Sequence, residues 1–149
     1  MVEILIAENA GDKLINIKQT ELVSGKGIVG DRYYNKLGTF YEKLKNTGDF
    51  EVTLIECEEI LAFNTETNLS LIGSDFRRNI VTNDIRLNNL VGKSFKIGEV
   101  EFQGVRLCQP CKYLVSILGK VVMEKMMDKC GLRAIIVKSG NISINDSIS

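Results

Sequence analysis

Residues 95–111 read Phe-Lys-Ile-Gly-Glu-Val-Glu-Phe-Gln-Gly-Val-Arg-Leu-Cys-Gln-Pro-Cys. This stretch decides the fold class. Phe95–Ile97 and Val100–Cys108 are strand-like runs, and Gly98-Glu99 between them is a two-residue turn signal, so the segment is a predicted β-hairpin. Period-two alternation puts Phe102, Arg106 and Cys108 on one face of its second strand. The strand runs straight into Cys108-Gln109-Pro110-Cys111, and Tyr113–Leu118 beyond it is apolar. Pro110 suits the first position of a helix, where its missing N–H costs nothing. Cys111 then falls in the first turn, where free backbone N–H groups favour a thiolate. Arg106, upstream on the strand, is a cation placed to help ionise a thiol or hold an anion.

Working outward, the same strand-and-turn pattern recurs. Val2–Ala7 and the run around Leu14, Ile15 and Ile17 form a second predicted hairpin, turning near Gly11-Asp12. Val52–Ile55, Asn79–Thr82 and Ile85–Leu87 are further short strands. Leu132–Lys138 and Asn141–Ile148 make a last hairpin through Ser139-Gly140. Two segments have helical spacing. In residues 58–67, Ile60, Leu61 and Phe63 are expected to be partly buried. In residues 121–130, Met123, Met126, Met127 and Cys130 recur at i, i+3, i+4 and i+7, a core-packing stripe that Gly131 would end. Many short, evenly spaced strands predict a mainly β barrel or sandwich with a few short helices, rather than a βαβ sheet. The 149 residues contain no repeat, linker or low-complexity tract, and they read as one domain spanning 1–149.

Composition removes whole classes of function. There is no histidine, so Ser-His-Asp triads, Cys-His pairs and His-ligated metals are all excluded. Nineteen basic and nineteen acidic side chains leave no net charge, which argues against nonspecific nucleic-acid binding. No apolar run approaches the ~20 residues that cross a bilayer, and no signal-like start is present. A cytoplasmic location is expected, with Cys57, Cys108, Cys111 and Cys130 as reduced thiols. The charge is polarised along the chain. Residues 1–75 carry 7 basic and 13 acidic groups, and residues 76–149 carry 12 and 6. If the basic half converges in space, it can hold a small anion.

Three constellations carry possible chemistry. The first is the Cys108–Cys111 motif. It admits a redox dithiol, a structural zinc site that would also need Cys57 and Cys130, or simply two buried thiols. The second is Arg77-Arg78-Asn79. On a strand, Arg77 and Asn79 face one way and Arg78 the other, and an inward Arg and Asn would require an anionic or carbonyl partner. The third is Gly30-Asp31-Arg32-Tyr33-Tyr34, inside the glycine-rich stretch 24–49, a long loop of the kind that tends to be functional.

In order and spacing, these segments resemble the MOSC domain, the C-terminal domain of molybdenum-cofactor sulfurases, which also occurs as small stand-alone bacterial proteins. The likeness includes Gly27-Ile28-Val29-Gly30-Asp31-Arg32-Tyr33, Gly38-Thr39-Phe40 and Val52–Glu56. It continues through Arg77–Thr82, Leu90–Phe95, Leu107–Cys111, Gly131–Ala134 and the closing segment 140–146. The resemblance implies a MOSC-type β-barrel and a molybdenum cofactor (molybdopterin). It makes Cys111 the persulfide carrier or molybdenum ligand, and Cys108 an auxiliary or resolving thiol. It also implies an anion pocket built from Arg77, Asn79, Arg106, Lys112 and Arg32, with Asp31 ordering the glycine-rich loop.

Two departures qualify what carries over. Relatives often place a histidine after the Gly-Asp pair, whereas this chain has Arg32, Tyr33 and Tyr34, so no imidazole proton step is inherited. The pyridoxal-phosphate desulfurase domain of full sulfurases is absent from these 149 residues, so sulfur would come from an external cysteine desulfurase, with a molybdoenzyme as a possible recipient. Three functions follow: a sulfur carrier or cofactor-binding protein, a cofactor-dependent reductase of N-hydroxylated compounds, and a non-catalytic module binding a small anion or a partner. A barrel edge or the 121–130 helix offers a surface for homo-oligomers.

Overall fold

A computed structural model describes residues 1–149. Ten strands and four short helices alternate along the chain. They are β1 (Glu3–Ile6), β2 (Ile15–Ile17), β3 (Gln19–Val23), β4 (Gly27–Ile28), α1 (Tyr41–Leu44), β5 (Val52–Glu56), α2 (Cys57–Thr67), β6 (Ile80–Thr82), β7 (Ser94–Ile97), β8 (Val100–Leu107), α3 (Lys112–Leu118), α4 (Val121–Lys125), β9 (Leu132–Lys138) and β10 (Gly140–Ser143). Seven strands form one sheet in the order β2-β1-β6-β5-β9-β8-β7, and β10-β3-β4 form a second. The large sheet is curled into a half-barrel, and the small one shares a hydrophobic core with one of its faces. The predicted mainly β class is the observed one.

Alternation explains the two-sided burial. Ile4 of β1, Val52 and Leu54 of β5 and Ile80 of β6 point into a core shared with Leu22, Ile28 and Ile142 of the small sheet. Their neighbours Leu5, Ile55 and Val81 point to the opposite face, where Ile60, Phe63, Leu114, Val122 and Met126 pack from the helical side. Each fully buried large side chain, such as Phe76 or Phe102, contributes roughly 1.5–3 kcal/mol. The free edge of β7 is closed by the chain end, through Lys96 N–H to the Ser149 carbonyl at 2.8 Å and Ser149 N–H to the Lys96 carbonyl at 3.1 Å.

Several sequence expectations change. The last two strands do not pair with each other: β10 leaves β9 and adds to β3, because its alternating Ile142 seals the small sheet over the core. Residues 85–87 are not a strand; Leu87–Leu90 form a 3₁₀ turn. Strands β5 and β6 run parallel, joined through α2, so one βαβ crossover sits inside an otherwise antiparallel sheet. Helix α4 stops at Lys125, so Met126 and Cys130 reach the core from a turn, while Met123 and Met127 are exposed. Leu61 is likewise exposed. Gly131 does not end a helix. It has φ +108°, and a Cβ there would lie 1.9 Å from the Leu54 carbonyl oxygen, so glycine is what lets β9 dock against β5.

Candidate functional site: a cysteine in an arginine-lined cleft

The site lies on the helical face of the sheet, where strand register assembles it. Thr53 of β5 is opposite Arg133 of β9, and Arg133 is opposite Arg106 of β8. A β-bulge between Gly104 and Arg106 interrupts the alternation. Arg106 therefore does not share the buried face of Phe102; it is half-exposed at the mouth of the cleft. Like charges directly opposite one another destabilise a sheet unless something offsets them. Asp49 does so in part. Its carboxylate accepts from Arg106 Nε at 2.8 Å, and its backbone carbonyl accepts from Arg133 at 3.3 Å.

The cysteine motif closes the cleft on one side. Cys108 follows β8 and is buried; its N–H donates to the Gly131 carbonyl at 2.8 Å. Gln109 is clamped to Asp128, donating to its carboxylate at 2.6 Å and accepting from its N–H at 2.8 Å. Pro110 is not the first helical residue. Cys111 is the extended N-cap of α3 (φ −119°, ψ 169°), and its carbonyl accepts the first helical bond, from Val115 N–H at 3.0 Å. Its thiol makes no capping bond and faces the cleft, half-buried.

The Arg77–Asn79 segment does not alternate as a strand would. Arg77 has a left-handed backbone, φ +61°, at the end of a 3₁₀ turn over Gly73–Phe76. That twist turns both Arg77 and Arg78 into the cleft. Arg77 donates to the Asp12 carbonyl and lies 5.9 Å from the Tyr113 ring. Burial, then the neighbouring Arg32 guanidinium, push it below the usual arginine range. Asn79 lines neither cavity. Its carboxamide oxygen accepts from Thr53 N–H and Oγ1 at 3.2 and 3.0 Å, and its amide donates to the Leu5 carbonyl at 3.2 Å. It knits β1 to β5. Lys112 is exposed and also lines neither cavity.

Arg78 and Arg133 were not singled out as cleft residues by sequence reasoning. Arg78 is buried; Nε donates to the Cys130 carbonyl at 2.9 Å and Nη2 to Cys130 Sγ at 3.3 Å. Burial pushes the guanidinium down, but the thiols of Cys108, Cys130 and Cys111 outweigh it, and the net shift is upward. Arg78 thus contacts the Cys130 sulfur and shares the wider cavity's lining with Cys108 and Cys111. Cys130 itself is pushed up by burial, which Arg78 only partly offsets, so it is a poor nucleophile. The available signal for Arg78 was its place between Arg77 and Asn79, but alternation assigned it to the wrong face.

Asp31 is a hydrogen-bond acceptor within the glycine-rich loop. Fully buried, it accepts from Ala7 N–H at 3.1 Å, Tyr33 N–H at 3.2 Å and Arg32 Nη1 at 2.9 Å. The Arg32 guanidinium then stands 5.0 Å from the Tyr33 ring, on the cleft wall.

Two adjoining cavities result. A narrow one of about 30 Å³ includes Arg32, Arg77, Thr53 and Tyr113 in its lining. A wider one of about 220 Å³ includes Lys43, Arg106 and Cys108. Phe40, Arg78, Cys111 and Arg133 line both. Five arginines and one lysine border this space, and no carboxylate side chain does. Four of the six cations come from the basic second half of the chain, so four of that half's twelve basic residues converge here. No three Cys, Asp or Glu side chains gather at a point where a metal ion would be held, so the zinc arrangement through Cys57 and Cys130 does not form. Chemically, the cleft can bind an oxyanion through planar guanidinium donors and present it to a thiol.

The family model for the MOSC domain matches residues 29–149. The chain belongs to the MOSC domain family. Solved structures agree on its fold. YuaD from Bacillus subtilis superposes with a TM-score of 0.81 at 13% identity, over 98% of this MOSC chain and 91% of that one. YiiM from Escherichia coli gives 0.70 at 18% identity, over 100% and 69%. YiiM from Geobacillus stearothermophilus gives 0.71 at 11% identity, over 99% and 72%. At these identities the likeness establishes the fold. No curated protein sequence matches the chain significantly. MOSC domains are associated with molybdenum-cofactor proteins, and no helix of this MOSC chain is long and apolar enough to cross a membrane.

Proposed function

We propose that this MOSC domain is a molybdenum-cofactor-associated sulfur carrier or cofactor-binding protein, with Cys111 as the reactive sulfur. One observation carries the reading: the Cys111 thiol is common to both cavities of a cleft bordered by six cations and no carboxylate side chain. Soft thiolate and hard oxyanion donors side by side suit a ligand that combines sulfur or metal chemistry with phosphate. The residues fit a phosphate-bearing pterin cofactor. Arg32, Arg77, Arg78, Arg106 and Arg133 would hold its anionic parts, and Cys111 would be the protein's ligand to its metal. When bound, that cofactor supplies a redox-active molybdenum centre.

In sulfur carriage, the Cys111 thiolate attacks the outer sulfur of a donor persulfide. The donor's S–S bond breaks, the donor leaves as a thiolate, and Cys111 keeps the sulfane sulfur. Cys108 lines the same wider cavity and serves as the resolving thiol. Its thiolate attacks the inner Cys111 sulfur, forming a Cys108–Cys111 disulfide and expelling hydrosulfide. A cysteine desulfurase is the donor class that this chemistry requires, and a molybdoenzyme is a fitting recipient. Four free cysteines suit a reducing, cytoplasmic setting.

The test is intact-protein and peptide mass spectrometry after anaerobic incubation with a cysteine desulfurase and cysteine. A gain of one sulfur atom confined to Cys111, and lost in a folded Cys111→Ser variant, supports the reading. A folded protein that gains no sulfur on any thiol and retains no molybdenum on cofactor loading overturns it, leaving a non-catalytic anion-binding module.

The second reading, reduction of N-hydroxylated compounds, has one observation in its favour: the wider cavity leaves room for a small substrate beside Cys111. Cofactor-loaded protein supplied with an electron donor and a hydroxylamine-type substrate should then turn over. Absence of turnover with cofactor demonstrably bound rejects it.

A further inference from the structure

A separate cavity of about 170 Å³ lies on the far side of Tyr33 from the arginine cleft, lined by Gly25, Lys26, Tyr33, Tyr34, Lys36, Tyr41 and Phe50. Its walls are aromatic and preformed. Tyr33 is buried, its hydroxyl accepts from Phe40 N–H at 3.4 Å, and a Cβ at Gly38 would come within 2.4 Å of its ring. Phe50 is buried against Tyr41, with ring centres 5.1 Å apart in an edge-on arrangement. The hollow is open to solvent on the side of the exposed Lys26 and Lys36, and its volume is of the order of a single aromatic ring's.

The charged side chains of the lining, Lys26 and Lys36, are both cationic. Lys26 Nζ stands 6.0 Å from the Tyr34 ring centre, and neither Lys26 nor Lys36 has a carboxylate within ion-pair distance. Lys36 also holds a left-handed backbone, φ +62°, which a side chain adopts only at a cost. Glycine there would relieve that strain and remove the lysine side chain from the lining.

We propose that this cavity is a second binding site, which takes a single planar aromatic ring bearing a carboxylate. The ring packs among Tyr33, Tyr34, Tyr41 and Phe50, and the carboxylate meets Lys26 and Lys36. The site is independent of sulfur chemistry at Cys111, and Tyr33 is the one residue it shares with the arginine cleft.

The chain has four tyrosines and no tryptophan; three of the four line this cavity, and Tyr113 lines the cleft. Titration of protein with ¹³C-labelled tyrosine rings therefore reads the site directly, with benzoate as probe and benzamide and cyclohexanecarboxylate as controls. With excess inorganic sulfate present to fill the arginine cleft, benzoate should move the signals of Tyr33, Tyr34 and Tyr41, leave Tyr113 in place, and bind at least about tenfold more tightly than either control. Lys36→Gly should weaken benzoate binding by about tenfold without lowering the melting temperature, because it relieves backbone strain. The proposal is overturned if benzoate moves none of the three signals, if it moves Tyr113 alone, if a control binds as well as benzoate, or if folded Lys36→Gly binds unchanged. None of these outcomes bears on sulfur loading at Cys111.

Discussion

Arg78 reaches across from the start of β6 and donates to both the carbonyl oxygen and Sγ of Cys130, at 2.9 and 3.3 Å. The contact ties the arginine cleft to the turn before β9, and it places a buried positive charge against the Cys130 sulfur. The proposed site for an anion and a reactive sulfur thus rests on an internal hydrogen bond.

Replacing Arg78 should therefore cost both stability and binding. Arg78→Met leaves the Cys130 carbonyl without its charged donor, and a loss of about 2–3 kcal/mol is expected in urea denaturation. Arg78→Lys should restore little, because a single ammonium does not reproduce the two-pronged contact. Unchanged urea midpoints for both variants would contradict this account of the cleft.

The four cysteines should differ in reactivity. Cys111 is half-buried in the cationic cleft, and Cys108 and Cys130 are buried. Burial, then Glu58 and Glu3, push the Cys57 thiol up. Timed alkylation followed by peptide mass spectrometry at neutral pH should label Cys111 first, with Cys57 catching up as pH rises. Inorganic sulfate should slow the labelling of Cys111 and not of Cys57, because Cys111 lines the arginine cleft and Cys57 does not.

Two buried carboxylates, Glu51 and Asp49, should give opposite pH signatures. Glu51 is buried, and burial raises its pKa although it accepts from Ile136 N–H at 2.8 Å. A carboxyl raised on folding contributes stability at acid pH that is lost as pH climbs through its folded pKa. Burial also pushes Asp49 up, but Thr47 and Arg106 outweigh it and hold the carboxyl below its ordinary range. Its contribution is present above the unfolded pKa and is lost as pH falls through the folded one. Urea midpoints measured across pH 3–8 should then flatten on the alkaline side of their profile in Glu51→Gln and on the acid side in Asp49→Asn.

Gly131→Ala should be severe. It combines a positive φ with a Cβ 1.9 Å from the Leu54 carbonyl oxygen, a backbone atom with no room to yield. A loss of about 4 kcal/mol or more is expected, the range of exceptional single substitutions. Gly119→Ala, also at positive φ but with nothing near its Cβ, should lose far less on the same thermal melt.

Read along the chain, residues 95–111 were enough to predict the β7–β8 hairpin and a cysteine at the start of a helix, because alternation, turns and caps are local. Cys111, Arg77, Arg106 and Arg32 were likewise visible as candidates, because thiols and guanidiniums announce their chemistry wherever they sit. What stayed hidden depended on distant segments. The partner of β10 is set by how Ile142 packs over the core, and the pairing of Arg133 with Arg106 by the β8–β9 register and its bulge. The left-handed turn at Arg77 sends Arg78 into the cleft, while Asn79 is used to join β1 and β5. By itself the sequence determined a mainly β chain and the residue types able to hold an anion beside a thiol. Only the tertiary structure decided which of them meet, because cross-strand register and a single residue's φ lie outside any local pattern.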